Sequence, residues 1–308
     1  MKIIRANIIG FCAGVRRAVL AVEKALTENK KGNVYTLGPL IHNPAALKKL
    51  SEHNLKILDE KEIETLQEND TVIIRAHGIP PEVDGKIRRK ITNVVNATCP
   101  LVTKSQQRAA EYAGQGYVIF FAGDKNHGEV IGIEGYAKEG AEKAGKELNF
   151  ILIRDEKELR SEAEKLVAKK VIQKDSKIVL LSQTTFSIQV FSRLEGELKS
   201  IFPQALVISS ICPATHERQE SLVDLCKEVE GVIVIGGRNS ANTNRLFTTA
   251  RKLCKHVVLI ENPDEIKAVP EDFFSLSSVG ITAGASTPDY IIDAVERSLS
   301  ERACQQRF

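Results

Sequence analysis

Apolar residues along this chain follow two alternating patterns. Runs such as KIIRANII, NVYTLG and TVIIRA are nearly continuous and β-prone, whereas VRRAVLAVEKAL and LVTKSQQRAAEYA space their apolar residues three and four apart. The first pattern predicts strands covered on both faces and the second predicts amphipathic helices. Their alternation predicts an α/β fold with parallel sheets.

The alternation itself repeats. Three β-prone runs, KIIRANII, ITNVVN and ALVIS, each lead to a cysteine (Cys12, Cys99 and Cys212) and then to a helical stretch, with Pro100 and Pro213 at the first helical position of two of them. The helices end near Gly32, Gly116 and Gly231, and the strand-like NVYTLG, YVIFFAG and VIVIGG follow at once. LDEKEI, RDEKEL and ENPDEI then each predict an acid-capped helix, and TVIIRAHG, KIVLLSQTT and SVGITAGAS each add one more strand. Each third reads βαβαβαβ, so the expectation is three similar α/β domains at 1–96, 97–207 and 208–308.

Parallel sheets collect ligands at the carboxyl ends of their strands. The second strand of each third runs into GPLIHNP with His42, GDKNHGEV with His127 and Glu129, or GGRNSANT with Ser240 and Asn242. The fourth runs into RAHG with His77, SQTTFS with Thr184 and Thr185, or AGAS with Ser286. Taken singly, a thiol is ordinarily a small core residue and a strand-end Ser or His is ordinarily a helix cap. Recurrence at equivalent places in all three thirds argues instead for one shared site, a polar cavity enclosed by three such edges. Cys226, Cys254 and Cys304 fall outside this register and read as structural, while His53 and His256 precede strands. His216 is expected in the first turn after Cys212.

Composition narrows the class. A chain of 308 residues can bury two or three cores, and its net charge of +3, 5% aromatics and dispersed Lys and Arg offer neither a basic stripe nor a stacking platform for nucleic acid. No run approaches the ~18–20 apolar residues of a membrane span. Arg5 interrupts the opening apolar run and Phe11 precedes Cys12, so no export or lipoprotein signal is expected. The expected compartment is the cytoplasm, or a plastid-type stroma after removal of a transit peptide, where six cysteines read as ligands, nucleophiles or core residues, not disulfides.

Thiolates ligate metals, and a helix N-terminus stabilises the anion, so the three register cysteines point to a metal or a cluster. Zinc ordinarily takes a fourth Cys or His, often from a C-x-x-C pair that this chain lacks, and stays as the alternative, with a zinc phosphohydrolase as its function. A four-iron cluster on three cysteines leaves one iron open to a substrate oxygen and delivers electrons. A non-enzymatic iron-sulfur sensor would need a basic DNA-reading helix, for which there is no signal.

GFCAGVRRAV, LIHNP, RAHG, NATCPLV, GIEGYA, SQTT, NSANTNRL and AGASTPD together resemble the 4-hydroxy-3-methylbut-2-enyl diphosphate reductase family, in this order and over almost the whole chain. The resemblance implies a trefoil-like arrangement of three domains around a central 4Fe-4S cluster held by Cys12, Cys99 and Cys212. It implies removal of an allylic hydroxyl by two electrons and two protons, giving isopentenyl and dimethylallyl diphosphates in the last step of the non-mevalonate isoprenoid pathway. His42, His77, His127, Ser240, Asn242 and Ser286 match the diphosphate-binding positions, Glu129 the proton-delivering acid, and Thr184 the residue that supports the relay and the substrate hydroxyl. Neutral donors of this kind can satisfy phosphate oxygens without lysine. The implied partners are the allylic diphosphate and a reduced ferredoxin or flavodoxin-type donor, with no nucleic acid and no membrane.

Two departures stand out. Gly128 occupies a position where many relatives carry Pro, which loosens the loop bearing Glu129, and Ala241 occupies one where many carry Ser, which removes a phosphate donor. The stretch from Lys138 to Lys174 is also longer and more charged than the family pattern.

Overall fold

The structure, a computed structural model, describes residues 1–29 and 31–305. The first part of the chain runs β1 (Lys2–Arg5), α1 (Ala13–Glu28), β2 (Val34–Leu37), α2 (Pro44–Glu52), β3 (Leu55–Leu58), β4 (Thr71–Ile74), α3 (Pro81–Lys90) and β5 (Asn93–Asn96). The middle part runs α4 (Pro100–Gly114), β6 (Val118–Ala122), α5 (Gly128–Lys143), β7 (Asn149–Ile153), α6 (Glu156–Ala168), β8 (Ile178–Ser182), α7 (Ile188–Ile201) and β9 (Leu206–Val207). The last part runs α8 (Pro213–Glu228), β10 (Gly231–Ile235), α9 (Ala241–Leu253), β11 (His256–Ile260), β12 (Ser278–Ala283) and α10 (Asp289–Gln305).

Three four-stranded sheets result, ordered β3-β2-β4-β5, β7-β6-β8-β9 and β11-β10-β12-β1. Every pairing whose register is defined among the described residues is parallel. The inner strands β4, β6, β8 and β10 are buried along their whole length, as expected where helices cover both faces of a sheet. In β6 the alternation is explicit. Val118, Phe120 and Ala122 pack with Leu180, Leu194 and Leu198 on one face, and Ile119 and Phe121 pack with Ile133, Val179 and Leu181 on the other. Each of these side chains except that of Ala122 contributes roughly 1.5–3 kcal/mol through burial.

One strand groups differently from the sequence expectation. β1 pairs with β12, Lys2 opposite Ser278, and so completes the sheet of the last third, not the first. β5 and β9, the other strands that lead to cysteines, likewise complete the sheets of the strands before them. Hydrophobic period identifies a strand but does not name its neighbour, and a partly exposed edge strand such as β1 carries the weakest signal. A second difference concerns the acid-capped segments. Only RDEKEL opens an α-helix (α6), whereas the LDEKEI and ENPDEI segments form short 3-10 helices over Glu60–Thr65 and Pro263–Ala268. These carry little more than one apolar turn, too short to offset the cost of helix nucleation.

The described chain divides into two compact units. The first comprises Met1–Leu26, Pro39–Lys56 and the chain from Pro213, and the second comprises Thr27–Gly38 and Ile57–Cys212. Among the described residues no helix is long and apolar enough to cross a membrane.

Candidate functional site

The strand order reverses beside β2, β6 and β10, each of which is flanked by strands that come later in its own third. The loops leaving the carboxyl ends of β2 and β4, of β6 and β8, and of β10 and β12 therefore diverge at a switch point, where ligand crevices form. Every predicted site residue lies in one of these loops, in the first turn of the following helix, or after the adjoining edge strand.

One backbone bond recurs in all three sheets. The Cys12 amide donates to the Ala285 carbonyl at 3.2 Å, that of Cys99 to Ala76 at 3.0 Å, and that of Cys212 to Thr184 at 2.9 Å. Each cysteine is thereby tied to the loop after the strand beside its own. Cys12 and Cys99 immediately precede α1 and α4, and Cys212 immediately precedes α8. The Val15 amide donates towards Cys12 Sγ at 3.4 Å, so this sulfur faces the first turn of α1. None of the three is in a disulfide, and all are half-buried.

In the first unit the loop after β12 meets the loop carrying His42. Ser286 Oγ donates to the His42 carbonyl at 3.4 Å, and a side chain on Gly237 would collide with the same carbonyl, so only glycine allows the turn after β10 to reach it. Ser240 caps α9 by accepting from the Thr243 amide at 3.4 Å, and Asn43 caps α2 by accepting from the Ala46 amide at 3.0 Å. Two residues after Ser240, Asn242 is buried, and its Nδ2 has no hydrogen-bond partner among the described residues. A buried unpaired donor is costly, which marks Asn242 as a group awaiting an acceptor.

In the second unit His77 and His127 stand edge to face with ring centroids 5.2 Å apart. His127 caps α5, its Nδ1 accepting from the Glu129 amide at 3.2 Å. The Glu129 side chain turns inward and is 1% exposed. Its Oε1 accepts from the Thr184 amide at 2.6 Å and its Oε2 from the Thr184 hydroxyl at 2.8 Å. The two threonines are thus distinguished. Thr185 instead accepts from Gln183 Nε2 at 2.8 Å, while Gln183 Oε1 accepts from the Asp124 amide at 2.9 Å and braces the loop before His127.

The remaining candidates lie elsewhere. Cys226 and Cys254 pack together, Cys254 Sγ lying 3.8 Å from the Cys226 carbonyl, and burial with the neighbouring Cys254 pushes the Cys226 thiol up to about 12. Cys304 is exposed on α10. His216 lies in the first turn of α8, as expected, but it is exposed and pairs with Glu220 at 3.1 Å. His53 ends α2, and His256 opens β11.

Two arginines escape a sequence reading. Arg218 is 2% exposed on α8 and donates from Nη1 to the Ala283 carbonyl at 3.3 Å and towards that of Ile8 at 3.5 Å, bracing the strand ends that lead to Cys12 and Ser286. Nothing in the helical pattern of α8 announces it. Arg75 lies inside the RAHG segment, where the histidine alone carried the signal.

The family model described as LytB protein matches residues 3–300. The chain is 41% identical over 306 residues to a 4-hydroxy-3-methylbut-2-enyl diphosphate reductase from Treponema denticola, covering 98% of this chain and 100% of that protein. It is 39% identical over 301 residues to the protein of that name from Aquifex aeolicus, covering 98% and 96%. A solved structure of (E)-4-hydroxy-3-methyl-but-2-enyl diphosphate reductase, described as the terminal enzyme of the non-mevalonate pathway, superposes with a TM-score of 0.67 at 37% identity over 98% of this chain and 100% of that one. The E-1-hydroxy-2-methyl-but-2-enyl-4-diphosphate reductase from Plasmodium falciparum superposes with a TM-score of 0.83 at 26% identity, covering 96% and 87%.

Proposed function

We infer the function from this premise: the chain belongs to the LytB protein family, and its relatives along the whole length are named as reductases of one allylic diphosphate. The chain is a 4-hydroxy-3-methylbut-2-enyl diphosphate reductase. It removes the allylic hydroxyl as water with two electrons and two protons, and gives isopentenyl and dimethylallyl diphosphates at the end of the non-mevalonate pathway. The observation that carries the residue assignments is the thrice-repeated bond tying each register cysteine to a neighbouring strand-end loop. The thirds at 1–96, 97–207 and 208–308 are accordingly read as three repeats of one site-building unit.

The donor set fits a 4Fe-4S cluster. Cys12, Cys99 and Cys212 are half-buried, outside any disulfide and beside helix starts, and no fourth cysteine shares their register. When bound, such a cluster supplies electrons and an iron that a substrate oxygen can occupy. The protein's own residues do the rest. His42, His77, His127, Ser240, Asn242 and Ser286 bind the diphosphate, and the unpaired Asn242 Nδ2 supports this reading because a phosphate oxygen is the acceptor it lacks. Glu129 holds the proton for the departing hydroxyl. Thr184, whose hydroxyl can donate and accept, relays it. Reduced ferredoxin or a flavodoxin-type protein is the proposed electron donor, and the cytoplasm the compartment.

Anaerobic purification followed by assay on the allylic diphosphate tests the reading. The expected result is a coloured, oxygen-sensitive protein that forms both products. A colourless, air-stable zinc protein that releases phosphate would overturn it.

His77→Ala should weaken binding of inorganic diphosphate about 10- to 100-fold with the iron content unchanged, because a hydrogen bond to a charged group contributes roughly 1.5–3 kcal/mol. Calorimetric titration measures this, and equal affinity in the variant would remove His77 from the site.

A further inference from the structure

The residues assigned to the diphosphate share one shortcoming. Imidazole, hydroxyl and amide groups satisfy phosphate oxygens by hydrogen bonding, but none carries a permanent positive charge, and the substrate's diphosphate is a multiply charged anion. Arg75 follows β4 directly, two residues before His77, and is mostly buried. Its guanidinium is wedged between two glycines. A Cβ on Gly38 would lie 2.8 Å from Nη1, and one on Gly128, the first residue of α5, would lie closer still to Nη2.

Among the described residues no carboxylate pairs with this cation. Its Nε is buried and has no hydrogen-bond partner among the described residues, and burial, with no acidic group among them acting in the other direction, lowers its affinity for the proton. A buried cation without a counterion is destabilising, and one set against a helix N-terminus faces the positive end of the dipole as well. An anion arriving beside His127 relieves both penalties. Gly128 takes on a meaning here that its sequence position alone did not carry: it makes room for the guanidinium.

We propose that Arg75 supplies the fixed positive charge of the diphosphate site and is an affinity-determining residue for the anionic end of the substrate. The inference rests on the diphosphate reading of His77 and His127. Arginine suits the task because its charge is permanent and its planar fork of donors matches phosphate oxygens.

Inorganic diphosphate titrated into the anaerobically reconstituted protein separates the two readings. If the unaltered protein does not bind it, the diphosphate assignment fails, and this inference with it. If the unaltered protein binds and Arg75→Gln binds equally well, this inference fails alone. The expected result is a loss of about 10- to 100-fold in Arg75→Gln, the scale of one charge-assisted hydrogen bond. Arg75→Lys should recover most of that loss by restoring the charge. Gly128→Ala, which displaces the guanidinium, should weaken binding in the parent protein but add little in the Arg75→Gln background. Without ligand, Arg75→Gln should melt no lower than the parent, since it removes an unpaired buried cation. A lower Tm together with unchanged diphosphate affinity would make Arg75 a structural residue and overturn the proposal.

Discussion

Cys99→Ser should fold and yet fail to hold a full complement of iron and sulfide after anaerobic reconstitution, with turnover lost along with the cluster. Serine preserves the local structure: the residue-99 amide still donates to the Ala76 carbonyl, and a hydroxyl is a good N-cap for α4. What changes is ligand chemistry, since soft thiolates select iron-sulfur clusters and a hydroxyl does not replace them. The loss should exceed the ~10- to 100-fold typical of removing an outer-shell partner, because a direct ligand is missing. Circular dichroism fixes the fold, and iron and sulfide analysis reads the cluster. Cys254→Ser is the control: it alters a thiol packed beside Cys226 and should leave loading unchanged. Full loading of Cys99→Ser, or loss of loading in Cys254→Ser, would mean that the ligating trio is wrongly chosen.

The sequence exposed the frame of this site but not its electrostatics. The cysteine corners were legible because each stands between a hydrophobic run and a helical period, with Pro100 and Pro213 fixing two of the helix starts. The placement of β1 was not, because parallel pairing is decided by which helices cover the sheet, and no local period encodes that. Thr184 and Thr185 are interchangeable as neighbouring hydroxyls. Only the backbone direction after β8 turns one towards Glu129 and the other towards Gln183. Arg75 and Arg218 were hidden for a different reason: arginine is ordinarily a surface residue, so one that is largely enclosed, as Arg75 is, or fully buried, as Arg218 is, is visible only when its surroundings are known.

Glu129→Gln should leave diphosphate binding and cluster content intact while turnover falls about 10²- to 10⁴-fold, the usual contribution of a positioned general acid. The substitution preserves shape in a side chain that is 1% exposed, so packing is not the variable. It reverses the hydrogen-bond polarity, however. The carboxyl group now accepts from both the amide and the hydroxyl of Thr184, at 2.6 and 2.8 Å. A carboxamide can accept from the amide only by presenting its NH₂ to the hydroxyl, which must then donate elsewhere. The relay loses both its proton and its direction. Thr184→Val should be milder in turnover but costlier in stability, by about 1–3 kcal/mol, because it leaves Oε2 of a buried carboxyl without the hydroxyl that satisfies it. Single-turnover product formation with a strong chemical reductant isolates the proton step from electron delivery. Near-normal turnover of Glu129→Gln under those conditions would move the acid role elsewhere, most simply to a phosphate oxygen of the substrate reached through the Thr184 hydroxyl.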